Sequence, residues 1–271
     1  MRFTYLIVLF ASFMTGGILP GSAHAHDFWI EPDNFTPAPA EPVSVSLREG
    51  VGFKGNTLPY IDEWFTDFSI TTEGGREPID SVLGDDPAAT IQVASGQALL
   101  GYQSVRSFVE LDAEKFNTYL EHEGIEFIRE ERRKRGEDND PAPEYFVRCA
   151  KALLQSSTEA SSEGKTAYDK ELGYTLELIP LADPYKQTAG NKLGFKLLYR
   201  GEPIEGLLLQ AFTREQPDVI QKVRTDAAGQ AEINLSTTGT WFIKAVQIQP
   251  IVGDPKALWQ SYWASYLFTV N

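Results

Sequence analysis

Sulfur is scarce in this 271-residue chain. Cys149 is the single cysteine, so no intramolecular disulfide can form and no cysteine-based zinc pattern is present. Both methionines, Met1 and Met14, fall near the start, and the remainder lacks the thioether ligands that Cu(I) prefers. Histidine occurs three times. There is no GxSxG, HExxH or P-loop pattern, so those catalytic routes have no support. The chain is also poor in positive charge: 24 Lys+Arg stand against 38 Asp+Glu, a net −14. That balance disfavours nucleic acid and anionic lipid as partners, and it suits both ordinary solubility and the steering of cations.

What is present begins at the N-terminus. Arg2, an apolar run from Tyr5 to Met14, the breakers Gly16, Gly17 and Pro20, and the small residues Ala23 and Ala25 read as a secretory signal peptide over residues 1–25. The run is shorter than the roughly 20 apolar residues that a spanning helix needs. A periplasmic, exported protein is therefore expected, and loss of Arg2 leaves 23 basic against 38 acidic residues, a balance of −15. Cleavage after Ala25 makes His26 the first residue. An amino-terminal histidine chelates through its amine and its ring, and metal binding displaces the amine's proton. Cleavage after Ala23 leaves His24-Ala25-His26 instead, with a histidine at position three, an arrangement suited to the tetragonal geometry of Cu(II) or Ni(II). The plainer alternative is that these histidines only flank the signal.

The processed chain reads as mainly β, in two β-sandwich-like parts (immunoglobulin- or transthyretin-like) with a short α-helical insertion. Residues 26–111 carry short strand patterns: Val43 to Leu47, Phe65 to Ile70, Ala89 to Val93, and one or two more over Gln97 to Val109. A glycine-punctuated loop, Gly50 to Gly55, falls among them, and Trp29 and Trp64 are expected as core anchors. Residues 112–167 read as helices and a linker. Asp112 is the expected N-cap of a helix burying Phe116, Tyr119 and Leu120, with Gly124 as its stop. A second helix would hold Phe127 and Ile128 inward and Arg129 to Arg135 in solvent, ending at Gly136. A third would place Tyr145 or Phe146, Cys149 and Leu153 on one face, before a mobile connection from Ser156 to Lys165. Residues 168–271 show seven short strands, with a hairpin turn at Thr225 to Gly229.

Several stretches carry a resemblance: His26-Asp27-Phe28-Trp29-Ile30-Glu31-Pro32, the Gly50 to Gly55 loop, Tyr119 to Ile125, Leu178 to Tyr185, Thr225-Asp226 with Gly229, Gly239-Thr240-Trp241, and Trp259 to Ser265. With these the chain resembles the NikM-like family of periplasmic proteins, many of them nickel or cobalt transport accessory components. The resemblance implies a secreted β-rich protein whose processed N-terminus binds a transition metal and passes it towards a separate membrane transporter subunit. His26 is the residue it carries over. One departure is Gln247, where relatives tend to have histidine.

His122 is the other imidazole of the chain processed after Ala25. It is either a last-turn histidine favoured by the helix dipole or a second ligand folded against His26, with Glu121, Glu123, Asp27 and Glu31 as candidates for orienting the ligands. The sequence thus predicts a non-enzymatic metal-binding protein for Ni, Co or Cu at His26 and His122. Two alternatives stand beside it: a copper carrier or oxidative enzyme built on an N-terminal histidine brace, and a structural or carbohydrate-binding β-module.

Overall fold

A computed structural model describes residues 26–156 and 166–271. The expected signal segment and most of the expected mobile connection lie outside the described residues. Within them the chain is mainly β, as expected, and its strands form three sheets. An N-terminal sheet joins Asp27–Pro32, Pro42–Val51 and Lys54–Leu58, with Ala89–Gln92 also on the second of these. A C-terminal sheet joins Leu176–Pro180, Lys192–Tyr199, Glu202–Pro203 and Gln230–Asn234.

Between these two lies a nine-stranded sheet. Its order is Gln221–Arg224, Leu208–Thr213, Gly239–Pro250, Trp259–Val270, Ala142–Ser156, Gly96–Ser104, Phe65–Thr72 and Gly75–Pro78, with Ser107–Leu111 also on Ala142–Ser156. The pair Ala142–Ser156 and Trp259–Val270 is parallel. Parallel neighbours need a crossover connection, and here the crossover contains the whole C-terminal sheet. The middle sheet therefore takes strands from both sides of residue 168, so the two sandwich-like parts share one layer.

Alternation along the shared strands sorts side chains onto its two faces. Ala150, Ala152 and Leu154 pack with Phe28, Trp29, Val43, Val45 and Phe242 in the core under the N-terminal sheet. Cys149 and Leu153 pack with Phe116, Leu120, Leu178, Phe195 and Leu197 in the core under the C-terminal sheet and the helices. This explains the one element that periodicity misassigned. Ala142–Ser156 is a 15-residue strand, not a helix. A strand buried on both faces shows a continuous apolar run instead of alternation, and residues i and i+4 share a face in a strand as they do in a helix. Cys149 is a core thiol, as expected, with burial pushing its pKa up to about 12.

Two helices occupy the insertion, narrower than the expected 112–167. Helix α1, Ala113–His122, starts at Asp112, whose side chain accepts from the Lys115 amide at 2.8 Å, and it buries Phe116, Tyr119 and Leu120. Helix α2, Glu126–Arg135, ends on Gly136 in the left-handed region at φ 74°. Ile128 points inward as expected, but Phe127 is exposed. Arg132, expected in solvent, is buried: its Nη2 donates to the Glu137 and Asp140 carbonyls, each at 2.6 Å, and its guanidinium lies 4.9 Å from the Phe116 ring centroid. The two carbonyls and the ring offset part of the lost hydration, and burial still lowers the Arg132 pKa. Trp29 is buried, edge-on to Phe53 and Phe242. Trp64 is not a core anchor: it sits in a one-turn 3-10 segment, Asp62–Trp64, and stands 44% exposed, while Phe65 and Phe68 fill the adjacent core.

The Gly50 to Gly55 stretch is a tight hairpin, not an open loop. Gly50 and Gly55 face each other across it, and a Cβ at either would meet the opposing backbone oxygen at about 2 Å. That close approach lets the turn at Gly52 and Phe53 fold over, Phe53 in the left-handed region at φ 64°, so that its ring packs edge-on to Trp29, Phe212 and Phe242. The hairpin forms one wall of the cavity described next.

Candidate functional site

Lys244 is the centre of the site. It lies in Gly239–Pro250, in the run Trp241-Phe242-Ile243-Lys244-Ala245-Val246, where alternation puts it on the same face as Phe242. It is 4% exposed. A buried ammonium is tolerated only when it is paired, and two carboxylates meet it: Asp27 Oδ1 at 2.7 Å and Glu123 Oε1 at 2.8 Å. Asp27 opens the first strand, and Glu123 caps the C-terminal end of α1. One lysine of the middle sheet thus ties the start of the described chain to the helical insertion.

The network continues outward. His122 Nδ1 lies 2.8 Å from Glu123 Oε1, and Gln210 Nε2 donates to Glu123 Oε2 at 3.0 Å and to the His122 carbonyl at 2.9 Å. An ionised carboxylate only accepts, so the network assigns a proton to Nδ1, and in the neutral ring Nε2 keeps its lone pair. The His122 side chain is 48% exposed while Glu123 is buried. The imidazole is therefore oriented from the inside and open on the outside.

The two carboxylates differ. Burial alone pushes Glu123 up, but the Lys244 charge and the hydrogen bonds from His122 and Lys244 outweigh it, and its pKa is lowered. Asp27 has Lys244 but not the imidazole hydrogen bond. Burial dominates there, with repulsion from Glu123 added, and its pKa is raised. Burial disfavours the Lys244 charge, yet the two carboxylates more than offset this and hold its pKa above the ordinary value. The proton deficit of the group thus falls on Glu123, and the ammonium stays charged.

Beside the network is a cavity of about 340 Å³ lined by Asp27, Lys244, Gln210 and His122 on one side and by the apolar Val51, Phe212, Pro217 and Ile220. Gly52, Lys54 and Asp218 complete the lining.

His26 is half-buried next to Asp27 in the chain and does not line the cavity. His122 lines it, together with Asp27. Of the four acidic residues considered for orienting ligands, Asp27 and Glu123 join the buried network. Glu31 pairs instead with Arg48 at 2.8 Å and Arg214 at 2.7 Å, and Glu121 with Arg129 on the surface. Gln247 lies opposite Tyr262 in the sheet and is not part of the cavity. Sequence reasoning missed Lys244 and Gln210. Lys244 carried a usable signal, a lone lysine inside an otherwise apolar strand run; Gln210, in Leu208–Thr213, carried a weaker one of the same kind. Among the described residues no group of three His, Cys, Asp or Glu stands at metal-ligand spacing.

Residues 23–249 match the family described as Domain of unknown function (DUF4198), and the chain belongs to that family. No curated protein matches. Among solved structures the chain is similar to the D0-D1 domain of Intimin at 10% identity, covering 89% of this chain and 97% of that one, with a TM-score of 0.21. A similarity at that level carries no argument about function.

Proposed function

We propose that this member of the DUF4198 family is an exported metal-binding protein, an accessory component of nickel or cobalt uptake. In this reading it holds one divalent ion through the amine and ring of a processed His26 and Nε2 of His122. The observation that carries the reading is the continuous buried linkage from Asp27, the residue after His26, through Lys244 and Glu123 to His122. It fixes the strand that begins at Asp27, directly after His26, and orients the ring of His122 through the same ammonium. A histidine whose Nδ1–H is held by a carboxylate while Nε2 stays free is the arrangement in which metal-ligating histidines are found.

The donor set fits a borderline ion such as Ni(II), Co(II) or Cu(II): two imidazoles and an amine, with no thiol or thioether. Among the described residues no three His, Cys, Asp or Glu side chains are grouped to hold an ion, and in this reading the α-amine that signal cleavage would expose supplies a donor. The ion is cargo in this reading, and a separate membrane subunit takes it onward, since no helix among the described residues is long and apolar enough to cross a membrane.

Titration of the processed protein with Ni(II), Co(II) and Cu(II) tests this against three variants: one with an extra residue before His26, His26→Ala and His122→Ala. Tightest binding of Cu(II) is expected from intrinsic affinity, with at least tenfold loss in each variant. Parent-like affinity in both the extended protein and His26→Ala would end the reading; parent-like affinity in His122→Ala alone would leave the terminus and remove the second imidazole.

A further inference from the structure

We propose that the cavity beside Lys244 binds a small zwitterion of the α-amino-acid type with an apolar side chain, its carboxylate at Lys54 and its ammonium at Asp218. Two loops form the outer part of the cavity. One is the hairpin turn between Pro42–Val51 and Lys54–Leu58; the other is the connection from Leu208–Thr213 to Gln221–Arg224, which contributes Pro217, Asp218 and Ile220. They touch: a Cβ built on Gly52 would stand 3.2 Å from Cβ of Pro217. The connection holds its shape through two of its own amides, Gln216 donating to the Thr213 carbonyl at 3.2 Å and Val219 to the Gln216 carbonyl at 3.1 Å. Lys54 and Asp218 are thus carried to one cavity from distant parts of the chain.

Both side chains are exposed, and among the described residues neither has an opposite charge within 4.0 Å or a hydrogen bond to the chain. A cation and an anion that line one cavity without neutralising each other offer places for the two ends of one ligand. A carboxylate meets the first and an ammonium the second. A molecule with one charge alone leaves the other side chain in water. Val51, Phe212, Pro217 and Ile220 supply apolar wall, and Val51 is 51% exposed. Water wets such a wall poorly and hydrocarbon covers it well, so the ligand carries an apolar body as well as its two charged ends. The volume, about 340 Å³, falls at the lower end of the range of small-molecule sites, which limits the ligand to the size class of an amino acid. The ion group at the inner end, Lys244 with Asp27 and Glu123, pairs within itself, and the ligand needs no contact with it and no bound metal.

The probe is L-leucine, compared with 3-methylbutylamine, which lacks the carboxylate, 4-methylpentanoate, which lacks the ammonium, and glycine, which lacks the apolar body. Binding is followed by calorimetry and by ligand-observed NMR with EDTA present, so that failure of the metal reading and failure of this one are separable. Leucine is expected to bind about fivefold more tightly than either half-ligand, the upper end for an exposed charge pair. It should bind at least about tenfold more tightly than glycine. Lys54→Met should remove the preference for leucine over the amine and keep that over the carboxylate; Asp218→Asn should do the reverse. Both positions are exposed, so both variants should melt like the parent. Ile220→Trp fills the cavity and should abolish binding, with its melting curve as control. No detectable binding of leucine, equal affinity for leucine and the half-ligands, preferences unmoved by the two charge variants, or parent-like binding by Ile220→Trp would overturn the proposal.

Discussion

Two lysines are buried in the middle sheet, one under each flanking layer, and they are satisfied in opposite ways. Lys151 donates to Glu177 at 2.5 Å and to the Lys170 and Leu178 carbonyls at 3.1 and 3.2 Å, so all three of its N–H groups are used. Glu177 in turn accepts from the amides of Leu172, Gly173 and Tyr174. Burial outweighs the single carboxylate there, and the Lys151 pKa is lowered. Lys244 has two carboxylates and a raised pKa, with a solvent-open imidazole and a cavity attached to its network. The first lysine lies wholly within the packed core; the second sits beside a cavity that its network helps to line. A buried ion pair by itself says little about function; the half-exposed imidazole and the cavity beside Lys244 are what distinguish this one.

Removing each ammonium is the strongest way to break the comparison. Lys151→Met and Lys244→Met each strand buried carboxylate charge, and each should cost about 3–5 kcal/mol in denaturant unfolding. They should part on metal titration at conditions where both still fold. Lys151→Met keeps parent affinity, and Lys244→Met loses it because the His122 and His26 ends are no longer tied together.

Glu144 sharpens the comparison from the other side, because it is a buried carboxyl with no cation. Burial pushes its pKa up to about 7, opposed only by the hydrogen bond from Ser261, and its Oε2 has no partner. The folded state thus holds this proton more tightly than the unfolded one, whose carboxyl titrates near 4.5. The associated stability is complete below about pH 4.5 and is lost as pH rises through about 7, roughly 3 kcal/mol in all. Glu144→Gln carries no charge at any pH. Its unfolding free energy should gain on the parent between pH 4.5 and 8 and match it most closely near pH 4; a constant difference across that range would show that Glu144 does not titrate there.

A smaller effect is expected at the link between Glu123 and His122. Glu123→Gln keeps the shape and weakens the hold on Nδ1, which should lower metal affinity by about 10–100-fold, with the remaining fold intact. Smallest of all is Trp64→Ala, expected to change stability by less than about 1 kcal/mol because the side chain is largely outside the core. A loss like that of a buried tryptophan, about 3–5 kcal/mol, would contradict its exposure.

Local chemistry was legible wherever it decided the outcome locally. Asp112 and Gly136 bound their helices because cap geometry depends on neighbouring residues alone, and Val43 to Leu47 showed a strand because one of its faces is less buried than the other. His122 was recognisable as a candidate by its rarity, and so were Asp27 and Glu123 as acidic neighbours of the two histidines. Their burial was not, since it depends on Lys244, 217 residues from Asp27 and 121 from Glu123.

The sequence by itself determined that this is a mainly β chain with a helical insertion, acidic, nearly free of sulfur, and with its three imidazoles at His24, His26 and His122. Tertiary structure alone decided that Ala142–Ser156 is a strand, because its periodicity is erased when both faces are covered. It also decided that the start of the described chain and the end of α1 converge on one ammonium. A side-chain pattern records which face of its own element is buried; it does not record which distant element lies across that face.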